Sequence, residues 1–332
     1  MKVALLFRRK NFQFFSIERV FSQVISAFST DIDWSRIEMP AYGISTRNAW
    51  ASIKLRLRIK FDIFHVTGDN HYLVLFLPGK RSVLTIHDCV FLQQRGIKGW
   101  ILKKILLDWP VRRAALVSTI SQKTKDEVVM YSGCSEQKVR VIANPVNQYV
   151  YFADREFHSE VPEILFIGST PNKNFERTIK SLSGINCRLN LIGNYSSEQM
   201  ELLKEYKINY SVKSNISDIE LAEEYVNNDI ILFPSLYEGF GLPVIEGFKA
   251  GRVVITSNLL PMKEVAEGAA VLVDPFDEKS IRSAVNKVKN EDDYRKQLIG
   301  RGFEVVKKYN PDDIAQQYIK MYKEIYHNIC AE

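Results

Sequence analysis

Residues 230–246 read Ile-Ile-Leu-Phe-Pro-Ser-Leu-Tyr-Glu-Gly-Phe-Gly-Leu-Pro-Val-Ile-Glu, and they constrain the fold more than any other stretch. A short apolar run stops at Pro-Ser, a Gly-x-Gly turn follows, and Pro243 stands where a helix can begin. That order is strand, tight loop, helix N-terminus. Glycines let the backbone approach a ligand with no Cβ in the way. The first N–H groups of a helix lack intrahelical partners and suit a phosphate. Glu238 and Glu246 bracket the loop and can accept hydrogen bonds from sugar hydroxyls. Phosphate donors in the middle and hydroxyl acceptors at both ends describe a nucleotide-sugar site.

The same alternation recurs along the chain. Apolar runs at 2–7, 63–66, 81–87 and 116–120, then at 164–167, 188–192, 253–256 and 270–273, are separated by helical patterns. Strands alternating with helices mean βαβ units and parallel sheets. At 332 residues the chain exceeds one comfortable core. The expectation is an α/β protein with two Rossmann-like doubly wound domains, 1–148 and 149–311, joined near 144–161 where Asn144-Pro145 breaks the pattern. Residues 311–329 read as a helix with Ile314, Tyr318, Met321, Tyr322, Ile325 and Tyr326 near one face.

Cys89, Cys134, Cys187 and Cys330 are scattered with no C-x-x-C pair, which argues against a zinc site or disulfide framework and suits a reducing cytosol. The apolar start at residues 3–7 meets Arg8-Arg9-Lys10, too soon for a signal peptide, and no stretch is long enough to span a bilayer. A cytoplasmic location follows, with peripheral attachment to the inner membrane face as an option. Charge is uneven. Residues 1–150 hold 23 Lys and Arg against 11 Asp and Glu, while the remainder holds 22 against 28. The first half is therefore built to meet something anionic. No helix-turn-helix, zinc or RNA-binding signature accompanies this charge, so nucleic acid is not an expected partner.

The run from Glu238 to Glu246 resembles the E-x7-E motif of retaining GT-B glycosyltransferases, most like family 4. The similarity continues through Gly251-Arg-Val-Val-Ile-Thr-Ser-Asn258, Glu264-Val-Ala266 and Ala269-Ala-Val-Leu-Val-Asp-Pro275. The resemblance implies a GT-B fold, two Rossmann-like domains facing across a cleft, with residues 312–332 crossing back to the first domain. It also implies sugar transfer from a nucleoside diphosphate sugar to a glycan or lipid-linked acceptor, with the anomeric configuration retained. No cofactor or metal is expected, because helix N–H groups and a lysine hold the diphosphate.

On this resemblance the donor site comprises Gly168, Lys173, Glu238, Gly239, Phe240, Gly241, Leu242 and Glu246. Lys173 and the glycine-loop amides would hold the leaving diphosphate, Glu246 the ribose, and Glu238 the donor sugar. Thr85-Ile-His87-Asp88 resembles the family's H-D element and places His87 with Glu238 as a catalytic group, with Asp88 orienting its loop. Many relatives carry an Arg after the first glycine of the lysine loop. Here Ser169 stands there, leaving Arg252, Arg177 or a first-domain residue to balance the second phosphate.

The first loop, residues 8–16, has basic and aromatic residues where relatives have glycines. Arg8, Arg9 and Asp88 are the candidate acceptor-binding residues, the two arginines for an anionic acceptor such as a lipid-linked diphosphate sugar. His65, Gly68, Asp69 and His71 are further cleft candidates after a strand. Residues 50–60 interleave apolar and basic side chains, by period a strand and by position a helix, and in either form could rest on an anionic bilayer. The surface-polysaccharide or lipopolysaccharide acceptor class follows from the basic first domain and family analogy. Two other readings stay open: a non-catalytic nucleotide-sugar scaffold, and a GT-B-type nucleotide-sugar epimerase.

Overall fold

The structure, a computed structural model, describes residues 1–9, 16–58 and 60–331. It divides into two compact units, Met1–Pro145 with Pro311–Glu332, and Val146–Asn310.

The first unit is a six-stranded parallel sheet of β1 (Lys2–Phe7), β2 (Asp33–Glu38), β3 (Ile63–Val66), β4 (Ser82–Ile86), β5 (Leu116–Thr119) and β6 (Val139–Val141). The strands run in the order β2-β1-β3-β4-β5-β6. The second unit has β7 (Glu163–Ile167), β8 (Arg188–Ile192), β9 (Asn209–Lys213), β10 (Ile230–Phe233), β11 (Val253–Ser257) and β12 (Val271–Val273), in the order β12-β11-β10-β7-β8-β9. Central strands such as β3, β4 and β10 are buried at every position, because helices cover both faces of a parallel sheet. This is why they appear in the sequence as mostly apolar runs, interrupted only by His65 in β3 and by Ser82 and Thr85 in β4.

Strands β2, β6 and β9 have no such run. All three are edge strands, and β2 and β9 expose much of their length. An edge strand kept polar resists pairing with other chains, and the same polarity hides it in the sequence. Residues 50–60 fall largely within a helix, Thr46–Arg58. Position in the βαβ alternation outweighed the local period.

The order of each sheet reverses once, between β1 and β3 in the first unit and between β7 and β10 in the second. At such a switch point the loops leaving the carboxyl ends of the two strands diverge and open a crevice for a ligand.

The final helix, Pro311–Cys330, belongs to the first unit. A buried polar chain ties it there. His65 Nδ1 lies 2.6 Å from Tyr322 Oη and His65 Nε2 lies 2.7 Å from Thr85 Oγ1, which in turn lies 2.6 Å from Ser118 Oγ. Each interior group can donate once and accept once, so none is left unsatisfied. Burial pushes the His65 imidazole down to about 3, so it is neutral. His65 is thus a core residue of the sheet, not the ligand group that the sequence suggested.

Candidate active site

The two loops at the second switch point follow β7 and β10, and they carry the lysine and the first glutamate. After β7 the chain turns at Gly168, φ 96°, a conformation that L side chains rarely adopt. A Cβ there would come within 2.9 Å of Lys173 Cε. The missing side chain therefore lets Lys173 fold back over its own loop. Asn174, φ 64°, then starts the helix Phe175–Leu182. Its amide donates to Pro234 O at 3.1 Å and Pro275 O at 2.6 Å, tying together the loops after β7, β10 and β12.

Lys173 Nζ lies 2.6 Å from Glu238 Oε1, and both side chains are largely buried. Asn172 Nδ2 donates to the same carboxylate at 3.3 Å and to Tyr237 O at 3.0 Å, while Asn172 O accepts from Leu236 N at 2.7 Å. Lys173 also sits 4.9 Å above the Phe233 ring. A cation and a carboxylate are therefore fixed side by side by strands from opposite sides of the switch. Asn172 and Asn174 do much of this fixing, and the sequence reading did not single them out. Their signal was available, since they flank Lys173, but Asn in a loop is too common to stand out.

The glycine loop leads into the helix Leu242–Ala250, which starts at Gly241 with φ 114° and has Pro243 in its first turn. Gly247 lets this helix lie directly on the sheet, for a Cβ there would meet Val254 Cγ2 at 2.7 Å. Glu246 lies in the second turn and is buried. Phe240 turns into the unit, its ring edge-on to Tyr309 at 5.6 Å, so its side chain packs the loop. Ser257 donates to Ser235 O, and Thr256 donates to Phe233 O at 2.9 Å, bracing the loop after β10 from β11.

Of the cations considered as a second phosphate partner, Arg252 is ruled out. It precedes β11, at the opposite end of the sheet from the binding loops, and donates to Ala153 O and Val226 O. Arg177 is on the binding side, 3.2 Å from Asn174 Oδ1, and stacks toward Phe276.

In the first unit, the switch-point loops after β1 and β3 carry Arg8 and Asp69. Arg8 makes a two-pronged contact with Glu18, at 2.7 and 2.9 Å, and a further ion pair with Asp69. Arg9 is exposed, donating to Pro40 O at 3.2 Å and stacking on Tyr42 at 4.9 Å. Lys10 to Phe15 lie outside the described residues. A cavity of about 340 Å³ is lined by Arg8, Arg9, Tyr42, Ile44, Asp69 and Leu106 among others. A second, about 240 Å³, is lined by Asp69, His71, His87, Asp88, Phe91 and Leu106. They share Asp69 and Leu106.

His87 Nε2 lies 2.8 Å from Thr67 O, so that nitrogen carries the proton. Burial lowers the pKa of the ring, which leaves Nδ1 a lone-pair acceptor. Gly68 makes room for it, because a Cβ there would come 2.7 Å from His87 Cδ2. His71 donates Nδ1–H to Leu106 O at 2.8 Å and is likewise held neutral by burial. Asp88 accepts from Val90 N at 3.0 Å and so caps the turn after it.

These sheets and loops define a class, the glycosyltransferases of GT-B fold. The model of the glycosyl transferases group 1 family matches residues 150–305, and that of Glycosyltransferase Family 4 matches residues 27–148. The chain is 28% identical over 273 residues to the O-antigen chain mannosyltransferase RfbU of Salmonella typhimurium, covering 80% of this chain and 75% of that one. It is 31% identical over 108 residues to the O-antigen chain mannosyltransferase B of Escherichia coli, covering 32% of this chain and 28% of that one. Among solved structures, HepE of Anabaena, in complex with UDP and glucose, superimposes with a TM-score of 0.80 at 12% identity, over 98% of this chain and all of that one. The chain belongs to the group 1, family 4 type of GT-B glycosyltransferases.

Proposed function

We propose that this chain moves a hexosyl group, mannose first among candidates, from a nucleoside diphosphate sugar to a glycan or lipid-linked acceptor of a bacterial surface polysaccharide. The observation that carries this reading is the contact of Lys173 Nζ with Glu238 Oε1 at 2.6 Å, beside the start of the helix Leu242–Ala250. In such a donor the breaking bond joins the sugar to a phosphate. The group that binds the phosphate and the group that binds sugar hydroxyls must therefore be neighbours, as these two are. The choice of mannose and of the polysaccharide class rests on the named activities of the two mannosyltransferases.

In this reading Lys173 and the amides of the Gly239–Leu242 turn take up the charge that develops on the departing diphosphate, an electrostatic contribution that often dominates such reactions. Glu238 accepts from the sugar hydroxyls and offsets positive charge on the ring. Glu246 binds the ribose, and His87 Nδ1 accepts a hydrogen bond from a hydroxyl of the donor sugar. The configuration is retained, with the acceptor attacking on the leaving group's own face and a phosphate oxygen taking its proton. A lysine and helix amides suffice for the diphosphate, so the reaction is metal-independent. Arg9 and the cavity that it lines receive the acceptor, with Arg8 holding Asp69 in place.

The test is a thermal-shift screen against UDP-, GDP-, ADP-, CMP- and dTDP-sugars, wild type beside Glu246→Ala. A ligand at a hundred times its Kd stabilises by about 2.7 kcal/mol. One nucleotide class should raise the wild-type midpoint and leave the variant's unchanged. If none does, and acceptor extracts elicit no release of diphosphate, the reading gives way to a scaffold. Product anomer by NMR tests retention, and an unchanged rate in EDTA tests metal independence.

A further inference from the structure

The two cavities at the first switch point differ in what they offer a ligand. The larger has a cation, since Arg9 is exposed on its wall. The smaller, lined by Asp69, His71, His87, Asp88, Phe91 and Leu106, has hydrogen-bond acceptors. A carboxylate accepts and does not donate, and Phe91 and Leu106 carry no polar side-chain atom. A neutral imidazole has one N–H, and both rings have committed theirs, His87 Nε2–H to Thr67 O and His71 Nδ1–H to Leu106 O. Burial favours the neutral form of both. The other nitrogens, His87 Nδ1 and His71 Nε2, meet no partner among the described residues, and neither is sealed in the core. Two lone pairs and two carboxylates thus line one space, and no side chain there can donate.

That lining narrows the ligand. No three His, Cys, Asp or Glu side chains among the described residues are placed to hold a metal ion. An anion would meet two like charges and no donor. A group that brings its own donors and no negative charge fits, which describes the hydroxyls of a sugar. Phe91 adds an apolar surface for the C–H face of a sugar ring, and it is itself held edge-on to His71 at 5.8 Å. The volume, about 240 Å³, is below the roughly 300–1,000 Å³ of sites for drug-sized ligands and suits a single ring.

Asp69 stands on the boundary. It lines both cavities, and its half-exposed carboxylate is ion-paired with Arg8. Its φ is 51°, a backbone region that residues other than Gly, Asn and Asp seldom enter. Backbone held there clusters at ligand sites. The preceding Gly68 is the residue that makes room for the His87 ring, so one short turn positions acceptors on two walls of the cavity.

We propose that the smaller cavity is a subsite for one uncharged sugar ring and a filter against acidic sugars, with His71 and Asp69 as specificity-determining residues. Sugar hydroxyls donate to His71 Nε2, His87 Nδ1 and the two carboxylates. A ring bearing a carboxylate or phosphate is repelled, and an anionic part of the acceptor is left to the Arg9 side of Asp69. The ligand class rests on the sugar-transfer reading above. The ring belongs to the transferred sugar or to the end of the acceptor, and the test separates the two.

The test is saturation-transfer NMR of the full chain with methyl α-mannoside and methyl α-glucoside, each beside its uronate, the C6 acid. Wild type should bind the neutral glycosides and bind the uronates at least about tenfold more weakly. His71→Asn keeps a donor for Leu106 O and deletes the second ring nitrogen, and should weaken the neutral glycosides at least about fivefold. Asp69→Asn suits the left-handed backbone and should raise uronate binding relative to neutral at least about threefold. If His71→Asn lowers the melting midpoint, Asp69→Asn, at a half-exposed position, decides alone. Displacement of the glycoside by a nucleotide sugar, but not by its nucleoside diphosphate, assigns the subsite to the transferred sugar. Displacement by neither assigns it to the acceptor. The proposal is overturned if wild type binds no neutral glycoside, if the uronates bind as well, or if the diphosphate alone displaces the glycoside. It is also overturned if Asp69→Asn leaves the uronate ratio unchanged, or if a stably folded His71→Asn binds as wild type does. Glycoside binding that persists when no nucleotide sugar binds would instead sink the transferase reading and keep the subsite.

Discussion

Both units place a cation against a carboxylate at the switch point of a six-stranded parallel sheet, yet the two pairs are built for different ends. In the second unit Lys173 meets one carboxylate, Glu238, on a loop that turns at Gly168 and beside a helix that starts at Gly241. In the first unit Arg8 meets two, gripping Glu18 in a fork and reaching Asp69 as well. A planar guanidinium in a two-pronged contact is a fixed joint, whereas an ammonium on a flexible stem is easily re-partnered. The difference teaches that a cation at a switch point is a ligand group only where the surrounding carboxylates leave it something to give. It also assigns opposite phenotypes to similar substitutions.

The largest effect is expected in the second unit. Lys173→Ala and Glu238→Ala should each lower kcat about 10²- to 10³-fold, the usual cost of removing one transition-state charge partner. Some fall in melting midpoint is expected as well, because both side chains are largely buried and each variant leaves one charge without its partner, so rates are compared per folded enzyme. Steady-state kinetics with the donor found by thermal shift, run beside calorimetry, checks both halves. A variant that unfolds but whose folded fraction turns over normally would make Lys173–Glu238 a structural pair like that of Arg8.

The buried histidine gives the next effect, and it belongs to pH. His65 binds a proton in the unfolded chain near its ordinary 6.5 but only at about 3 in the folded one. The unfolded state therefore holds more protons between those values. The stability that neutral His65 confers is complete above about pH 6.5 and is lost as pH falls toward 3, with a slope near 1.4 kcal/mol per unit. Urea unfolding of wild type should show a loss of roughly 2–3 kcal/mol from pH 6.5 to 4.5 from this residue alone. His65→Asn should be less stable at pH 7 and should show a flatter profile. An equally steep profile in the variant would locate the titration elsewhere.

In the first unit Glu18→Ala should act on stability. It removes the two-pronged partner of Arg8, a largely buried side chain, and should cost about 2 kcal/mol, somewhat less than breaking a fully buried pair. Donor KM should be unchanged. If instead Glu18→Ala folds as well as wild type and tightens acceptor binding, Arg8 is a restrained ligand group and the contrast between the units dissolves.

How much of this could be read from the chain follows the same divide. The strands β1, β3, β4, β5, β7, β8, β10 and β11 are apolar because they are covered on both faces, and apolar runs are visible. The edge strands β2, β6 and β9 are settled by pairing with a neighbour, and a single sequence does not show partners. Lys173, Glu238 and the glycines were legible because their spacing has few other uses. Asn172, Asn174 and Glu18 were not, since they matter through the atoms that they hold, and those atoms lie at Tyr237, Pro234, Pro275 and Arg8. His65 misled for a related reason. A histidine next to a strand's end looks like a ligand, and only the 257-residue separation closed by its contact with Tyr322 shows that it anchors the last helix.

The smallest effect tests what remains of the first loop as a binding element. Arg9 is exposed, makes one long hydrogen bond to Pro40 O, and rests its guanidinium on Tyr42 at 4.9 Å, at the rim of the 340 Å³ cavity. Such a cation can turn from the ring to an anionic acceptor at little cost, but being exposed it contributes only about 0.5–1 kcal/mol. Arg9→Ala should therefore raise acceptor KM about two- to fivefold with kcat unchanged, the pattern of binding that is equal in ground and transition states. The increase should shrink as salt is added, because an exposed charge is screened. Arg9→Lys should recover part of the loss and keep the salt dependence. A loss that ignores salt would point to Arg9 acting through Tyr42 and the wall of the cavity, and a loss in kcat would move the arginine from acceptor capture to the reacting groups themselves.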